Sequence, residues 1–299
     1  MVAIGGGHGL ATTLRAVRAY SGDVTAIVSV ADDGGSTGRL RRDLGVLGVG
    51  DLRKCLVALG ADPNTGPDET DARIWAETFE HRFGAGELEG HAIGNLILVG
   101  LAEVTGDWES ALAIAGRTLG IVGRVLPATA EPVVLKAEVA SGEVQGQVAV
   151  QNSRERIRRV ELVPPDARSP EAVVAAIAAA DQIVLAPGSL FTSLVPALAA
   201  PDVRTAIGQA SGAVVAVVNL RPQVPETEGL DVADHLRAIR DLGVRIDRVV
   251  VHERGELPLD VAEAERLGGP VVVADVARPD VTAHAPAKLA PVLAALLQS

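Results

Sequence analysis

The sequence is short of several residue types, and each shortage excludes a class of protein. Cys55 is the only cysteine in 299 residues, which excludes an intrachain disulfide framework and a cysteine-rich zinc or iron–sulfur site. It lies in the apolar stretch "CLVAL", where we expect a buried, unreactive thiol. Three Phe, two Trp and one Tyr, with 27 Lys and Arg against 38 Asp and Glu, offer little for stacking bases or binding a phosphate backbone. A nucleic-acid polymer is therefore not an expected partner.

Long apolar runs are also missing. No run reaches the roughly 18 to 20 uninterrupted apolar residues that a membrane-spanning helix needs, and the first residues lack the basic and apolar segments of a signal peptide. The sequence therefore predicts a cytoplasmic protein without a membrane span.

What the sequence does have is an alternation of short apolar runs with stretches of helical periodicity. "MVAI" is followed by the turn "GGGHG" and a helical stretch at 10–20, and residues 24–31 are almost wholly apolar, as in a buried parallel strand. The same alternation returns from residue 170 to the C-terminus. It predicts an α/β fold: a three-layer, Rossmann-like, mostly parallel sheet with helices on both faces, in one domain spanning 1–299.

Two segments depart from this alternation. Residues 60–71 cluster Gly, Pro, Asn and Asp and predict a loop, followed by helical stretches at 72–83 and 87–119. Residues 121–163 contain the β-type runs "PVVLKAEVA" and "VQGQVAVQ" joined at "SGE", which predicts an inserted antiparallel β-hairpin.

Ligands of an open parallel sheet bind beyond the carboxyl ends of its strands, so the loops that follow strands are the candidate sites. The first such loop consists of Gly5, Gly6, Gly7, His8 and Gly9. Its glycines let a phosphate approach the backbone, and the helix that follows attracts anions at its N-terminus. The alternative is a tight turn alone, with His8 capping the helix instead of contacting a phosphate.

The second loop, in "VADDGGSTGRLR", combines features that conflict for a phosphate site. Gly34, Gly35 and Ser36 suit a phosphate, whereas the carboxylates of Asp32 and Asp33 repel one. The repulsion disappears if a carboxylate accepts hydrogen bonds from ribose hydroxyls or holds a divalent cation such as Mg²⁺. The alternative is an Asx turn and helix cap without a ligand.

Further polar residues follow strands or begin helices at four other loops. The candidates are Asp51 and Arg53 in "GVGDLRKCL", Asn95 in "GHAIGNL", Pro187, Gly188, Ser189 and Thr192 in "APGSLFTSL", and Asn219, Glu226 and Thr227 in "NLRPQVPETEG". We expect a diphosphate to lie against the amides of the first loop and of Gly188 and Ser189. No residue is assigned to catalysis, and Asp33 and Asp51 are the candidates both for that role and for a metal. The six histidines lack the spacing of a zinc site, and a Walker A motif and a G-x-S-x-G elbow are both absent.

These motifs, taken in order, resemble those of the CofD-like superfamily and, more narrowly, of its YvcK branch, the bacterial gluconeogenesis factors. The resemblance covers nearly the whole chain. It implies binding of a UDP-sugar such as UDP-N-acetylglucosamine, a role in gluconeogenic growth, cell shape and the supply of peptidoglycan precursors, and a contact with a protein partner. The oligomeric state stays open, with a homodimer as one possibility.

The resemblance leaves two alternatives. The CofD branch implies a Mg²⁺-dependent transferase of the 2-phospho-L-lactate type, with a nucleoside-diphosphate-linked donor. Binding of NAD or NADP to the Rossmann-like sheet is the other. The chain also departs from its relatives at His8, where many have Thr, and at "RPQVPET", where they have "MTQPGET". Pro225 in that loop lacks a donor N–H, so the pocket is expected to differ in ligand preference there.

Overall fold

The computed structural model describes residues 1–60 and 70–297. The loop predicted at 60–71 falls mostly on residues outside these ranges. Its last two residues, Thr70 and Asp71, already belong to a helix.

The described residues alternate strands and helices through most of the chain. The strands are β1 Val2–Gly5, β2 Thr25–Val28, β3 Arg124–Pro127, β4 Val134–Val139, β5 Gly142–Gln145, β6 Arg159–Val163, β7 Gln182–Leu185, β8 Ala213–Val217, β9 Arg248–His252 and β10 Val271–Ala274. The helices are α1 Gly7–Val17, α2 Gly35–Leu44, α3 Val49–Leu59, α4 Thr70–Glu80, α5 Ile93–Thr105, α6 Trp108–Thr118, α7 Gln147–Gln151, α8 Glu171–Ala178, α9 Val195–Ala199, α10 Pro201–Gln209, α11 Val232–Arg240, α12 Val261–Gly268 and α13 Pro286–Leu297, and a π-helical turn at Leu190–Leu194 leads into α9.

The main sheet has seven strands in the order β10-β9-β8-β7-β1-β2-β3. All of its pairings are parallel, and helices flank it, which confirms the predicted fold class. Strands β1, β2 and β7 are buried along their whole length, because a parallel sheet covered on both faces leaves no side for solvent. From β1 the strand order continues through β2 to the edge strand β3, and from β7 it continues through β8 and β9 to the opposite edge strand β10. The switch point between β1 and β7 is where such folds form a crevice.

The inserted element is antiparallel as predicted, but it is larger than a hairpin and begins later. It forms a separate sheet in the order β5-β4-β6. Strand β3, which the prediction placed in the insertion, pairs in parallel with β2 in the main sheet. Residues 147–151, predicted as strand, form α7. The strand β5 stops before Gly146, whose φ of +99° lies in a region that favours glycine.

The inserted segment begins and ends at neighbouring positions of the core. The N–H of Ala130 donates to the carbonyl of Arg168 at 2.8 Å, so the two ends of the inserted segment lie side by side. The segment between them contains both the small sheet and α7.

The helical stretch predicted at 87–119 is two helices, α5 and α6. Gly106, at φ +82°, ends α5 in a left-handed C-cap, and Asp107 then caps α6 by accepting a hydrogen bond from the N–H of Ser110 at 2.7 Å. A glycine followed by an aspartate is a sufficient signal for this break.

Cys55 is fully buried on α3, and burial raises the pKa of its thiol well above the ordinary value. This confirms the predicted buried position.

Among the helices of residues 1–60 and 70–297, not one has the length and apolar character needed to span a bilayer.

Candidate functional site

The first loop packs closely against the loop that follows β7. A Cβ on Gly9 would lie 1.8 Å from the carbonyl oxygen of Pro187, so only glycine permits this approach. Gly7 has a φ of +62°, and its N–H donates to the carboxylate of Asp51 at 2.7 Å. Within the described chain, the N–H groups of His8 and Gly9 have no hydrogen-bond acceptor. The N-terminus of α1 therefore keeps free donors that suit an anion.

The two acids of the second loop have different surroundings. Both carboxylate oxygens of Asp33 accept hydrogen bonds at 2.9 Å, from the N–H groups of Gln147 and Val148 at the start of α7. Asp32 accepts a hydrogen bond from the N–H of Gly34 at 3.0 Å, which is an Asx turn. Asp33 thus joins the insertion to the core, whereas Asp32 accepts from Gly34 in its own loop and from the Thr37 hydroxyl of α2.

Asp32 lies beside a second carboxylate, that of Asp51 on α3. Burial raises the pKa of Asp32, and the negative charge of Asp51 raises it further. Asp51 is only 8% exposed, and its other oxygen accepts from the ammonium of Lys54 at 2.9 Å. Among the described residues Asp32 forms no side-chain ion pair, although the charge of Arg41 acts on it, and Lys54 pairs with Asp51 alone. Two neighbouring carboxylates of this kind favour a bound cation, a proton or a hydroxyl donor.

The carboxylates of Asp32 and Asp51 can be compared with the ligands that a divalent ion requires. Mg²⁺ is commonly bound by one or two carboxylates together with the phosphates of a ligand, so Asp32 and Asp51 meet the protein's share of that requirement. The metal pair proposed from the sequence was Asp33 and Asp51, but the oxygens of Asp33 are used by α7. No group of three or more metal-ligating side chains occurs in 1–60 and 70–297, so a site formed by protein ligands alone is not found there.

Four helices in this part of the fold have an N-cap residue that forms no side-chain hydrogen bond, although Asp51 accepts from Gly7 at the start of α1. The N-cap residues of α1, α2, α3 and α5 are Gly6, Gly34, Gly48 and Ala92, and none forms a side-chain hydrogen bond to the helix. Helices α6, α11 and α12 each begin with a capping aspartate, whereas α8, α9 and α10 also lack a side-chain cap. Uncapped N-termini carry partial positive charge and unsatisfied N–H groups, which suit a diphosphate.

A buried polar network holds the starts of α2, α3 and α5 together. The Ser36 hydroxyl lies 3.0 Å from Nδ1 of His91 and accepts a hydrogen bond from the Asn95 amide at 3.1 Å. The Asn95 carbonyl oxygen in turn accepts from Nε of Arg53 at 3.0 Å. Arg53 is 1% exposed and pairs with Glu80 at 2.6 Å.

This network assigns structural partners to two predicted site residues, Asn95 and Arg53. It also brings in His91, which was not among the predicted site residues. Burial lowers the pKa of His91, which favours the neutral ring. Its position before Asn95 in "GHAIGNL" is the only local signal of this role.

The loop after β7 is held by two residues from the loop after β8. Asn219 exchanges two hydrogen bonds with the main chain of Gly188, each 2.7 Å long. The Glu226 carboxylate accepts from the N–H groups of Phe191 at 2.7 Å and Thr192 at 3.2 Å, and from the Thr192 hydroxyl at 3.1 Å. A protein carboxylate thus occupies the helix start that the sequence had suggested for a phosphate.

The predicted site residues therefore fall into two clusters. The first cluster lies in the loops after β1 and β2 and at the starts of α1, α2, α3 and α5: Gly5 to Gly9, Asp32, Gly34, Gly35, Ser36, Asp51, Arg53 and Asn95. The neighbouring cluster consists of Pro187, Gly188, Ser189, Thr192, Asn219, Glu226 and Thr227. The clusters touch where Gly9 meets Pro187. In the second cluster Thr227 is fully buried, and its hydroxyl accepts from the N–H of Gln223 at 2.8 Å.

Residues 1–285 match the family described as "2-phospho-L-lactate transferase CofD". The chain is 42% identical over 312 residues to a protein of Mycobacterium tuberculosis named "Putative gluconeogenesis factor", covering 98% of this chain and 89% of that one. It is 39% identical over 270 residues to the "Gluconeogenesis factor" of Halalkalibacterium halodurans, covering 89% of this chain and 80% of that one.

A solved structure has the same fold. The crystal structure of a UPF0052 family member from Bacillus halodurans superposes with a TM-score of 0.90 at 33% identity, covering 98% of this chain and 97% of that one.

Proposed function

Since the chain belongs to the CofD family and resembles its gluconeogenesis factors, we propose that the crevice beyond β1 and β2 binds a nucleotide sugar of the UDP-N-acetylglucosamine type. The supporting observation is the start of α1, where the free N–H groups of His8 and Gly9 lie beside a loop anchored to the buried carboxylate of Asp51. Bound ligand would control carbon flow to cell-wall precursors and cell shape through contact with a protein partner.

The chemistry of the crevice divides the ligand into two parts. The diphosphate accepts hydrogen bonds from helix N-termini, where partial positive charge accumulates. The carboxylates of Asp32 and Asp51 then take the ligand's hydroxyls or a cation, because their charge would otherwise repel the diphosphate. We leave Asp33 out of this set, since both of its oxygens accept hydrogen bonds from α7.

The Asp32 and Asp51 pair also favours a second candidate function, a transferase of the 2-phospho-L-lactate type. These two carboxylates would hold Mg²⁺, and the ion would supply positive charge at the diphosphate of a nucleoside-diphosphate-linked donor. In that function the same helix N-termini bind and orient the donor. The two functions differ in their dependence on the metal and in turnover.

Calorimetric titration of UDP-N-acetylglucosamine, with Mg²⁺ or with excess chelator, separates these functions. We expect wild type to bind in chelator, and Asp32→Asn and Asp51→Asn to weaken binding by about 1 to 3 kcal/mol, since an amide oxygen lacks charge assistance. Asp43→Asn, at an exposed position of α2, is the matched control and should bind as wild type does.

Three outcomes would change the proposal. Loss of wild-type binding in chelator alone would favour the metal-dependent transferase over hydroxyl recognition. Equal affinities in wild type, Asp32→Asn and Asp51→Asn would remove the carboxylates from the ligand site. Failure of the wild type to bind with or without Mg²⁺ would refute nucleotide-sugar binding in the crevice.

A further inference from the structure

A cavity of about 730 Å³ lies between the insertion and the helices that follow β7 and β8. Residues 156–162 form one wall, and α9, α10 and α11 contribute the other. Its volume is within the range of small-molecule sites, roughly 300 to 1,000 Å³. None of the residues around the free N-terminus of α1 lines it. We call it the arginine cavity.

The charged residues of the arginine cavity are mainly cationic, although the protein has a formal net charge of −11. Five arginines and three acids line it. One of the acids, Asp234, is paired with Arg156 at 3.1 Å and with Arg237 at 2.9 Å. A second, Glu161, is paired with Lys136 at 2.5 Å.

Three arginines of the cavity have no side-chain partner among the described residues. In the part of the chain that the structure describes, the guanidinium groups of Arg158, Arg159 and Arg204 form no hydrogen bond or ion pair, and Asp241 is the unpaired acid. Arg204 is half-buried, and burial lowers its pKa, with the charge of Arg159 lowering it further. Arg159 is exposed and its charge also acts on Glu161, so Arg204 is the half-buried cation of the two. Two like charges near each other favour an anion between them.

The rest of the cavity lining is apolar. Ile157, Leu162, Phe191, Val195 and Leu230 all line it, and each is at least nine-tenths buried. An inorganic anion would leave the small exposed remainder of these side chains in contact with water, whereas an organic anion would cover it with its own hydrocarbon part. The lining therefore selects for a molecule with a charged end and an apolar body.

We propose that the arginine cavity binds a small organic anion, whose phosphate or carboxylate lies between Arg159 and Arg204 and whose apolar part packs against Phe191 and Val195. This site is separate from the nucleotide-sugar crevice and does not depend on the function proposed for it. The ligand is a second small molecule that the protein senses or uses.

Phenyl phosphate is a suitable probe, because it joins a dianion to one ring. Calorimetry on the whole chain should show saturable binding at one site, and Arg204→Gln and Arg159→Gln should each weaken it about tenfold or more, since each removes a charge-assisted hydrogen bond. Arg240 of α11 is exposed, lies outside the cavity and has no side-chain partner in 1–60 and 70–297, so Arg240→Gln is the matched control and should bind as wild type does. Thermal unfolding of each variant without ligand checks that it is folded.

Comparison ligands test the two halves of the proposal. Inorganic phosphate and benzyl alcohol, which carry one half each, should both bind more weakly than phenyl phosphate. Saturating UDP-N-acetylglucosamine should leave the affinity for phenyl phosphate unchanged, and Asp51→Asn should affect only the nucleotide sugar. The two proposals can therefore fail independently.

Several results would overturn the site. If phenyl phosphate shows no saturable binding, the site does not exist. An equal loss in Arg240→Gln and Arg204→Gln would reduce the binding to general charge attraction, and inorganic phosphate binding as tightly as phenyl phosphate would remove the apolar contact. Competitive displacement by the nucleotide sugar would make the cavity part of the crevice.

Discussion

Replacing Asp33 by Ala should loosen the insertion and spare the crevice. The substitution leaves the N–H groups of Gln147 and Val148 without the carboxylate that caps α7. Loss of a capping side chain costs about 0.5 to 2 kcal/mol. Because Val148 is exposed, water replaces part of this interaction, and we expect a loss of about 1 to 2 kcal/mol in the docking of the insertion.

Amide hydrogen exchange measures this loss where it occurs. If the insertion opens as a unit, a loss of 1 to 2 kcal/mol multiplies exchange of its slowest amides in 133–163 by about 5 to 30. The N–H groups of the main sheet should exchange at wild-type rates. Asp107→Ala removes the cap of α6 and is the matched control, because it should not accelerate exchange in the insertion.

Affinity for UDP-N-acetylglucosamine supplies the second readout. Asp33→Ala should change it far less than Asp32→Asn does, since Asp32 faces the second carboxylate of the crevice. The reasoning is refuted if exchange in 133–163 stays at the wild-type rate while affinity falls as much in Asp33→Ala as in Asp32→Asn. Asp33 would then be a ligand residue rather than a cap.

Three further predictions concern stability. Glu226→Ala leaves two N–H groups and a hydroxyl without their buried acceptor, so the free energy of unfolding measured in urea should fall by about 2 to 4 kcal/mol. A loss below about 0.5 kcal/mol would contradict the role of Glu226 as that acceptor. Burial lowers the pKa of His284 from 6.5 to about 4, so the unfolded chain binds a proton in that interval that the folded chain does not. The neutral ring contributes its full stabilisation above pH 6.5, and this contribution declines as the pH falls toward 4. His284→Gln should therefore lose less free energy of unfolding than wild type over this interval. Equal losses in the two proteins would count against this role of His284. Gly9→Ala places a methyl group 1.8 Å from the carbonyl oxygen of Pro187 and should lower the free energy of unfolding, measured by thermal unfolding, by about 2 to 3 kcal/mol. Gly100→Ala is the control, because the space at its Cβ is open, and it should be neutral or stabilising by up to about 1 kcal/mol. Equal effects of the two substitutions would show that α1 can move away from Pro187.

The fold was predictable from the sequence because its signals are local. Strands covered on both faces must be apolar throughout, so β1, β7 and β9 stand out as uninterrupted runs between turn residues. The start of the insertion was predicted too early, at residue 121, because the four residues of β3 do not show whether they belong to the core or to the insertion.

The candidate site was predictable in its loops but not in its contacts. Asp33 and Gln147 are 114 residues apart in the chain, and Glu226 is 35 residues from Phe191. A carboxylate near a helix start is the same in sequence whether it binds a cation, a ligand hydroxyl or the amides of another helix. Only the tertiary fold decides between these roles, and it separates Asp32 from its neighbour Asp33.

The hydrogen bond between Ala130 and Arg168 has a consequence for how the chain can be altered. Seen from the main sheet, residues 131–167 are a closed loop whose ends already meet, and the entropic cost of closing such a loop rises only with the logarithm of its length. A shorter or longer segment grafted between these two positions should therefore leave the pairing of β2 with β3 intact. What such a graft would remove is the amide pair that Asp33 accepts from, which would free a carboxylate one residue away from Asp32. Exchanging this segment is thus a way to change the charge and ligand preference of the crevice without redesigning the sheet.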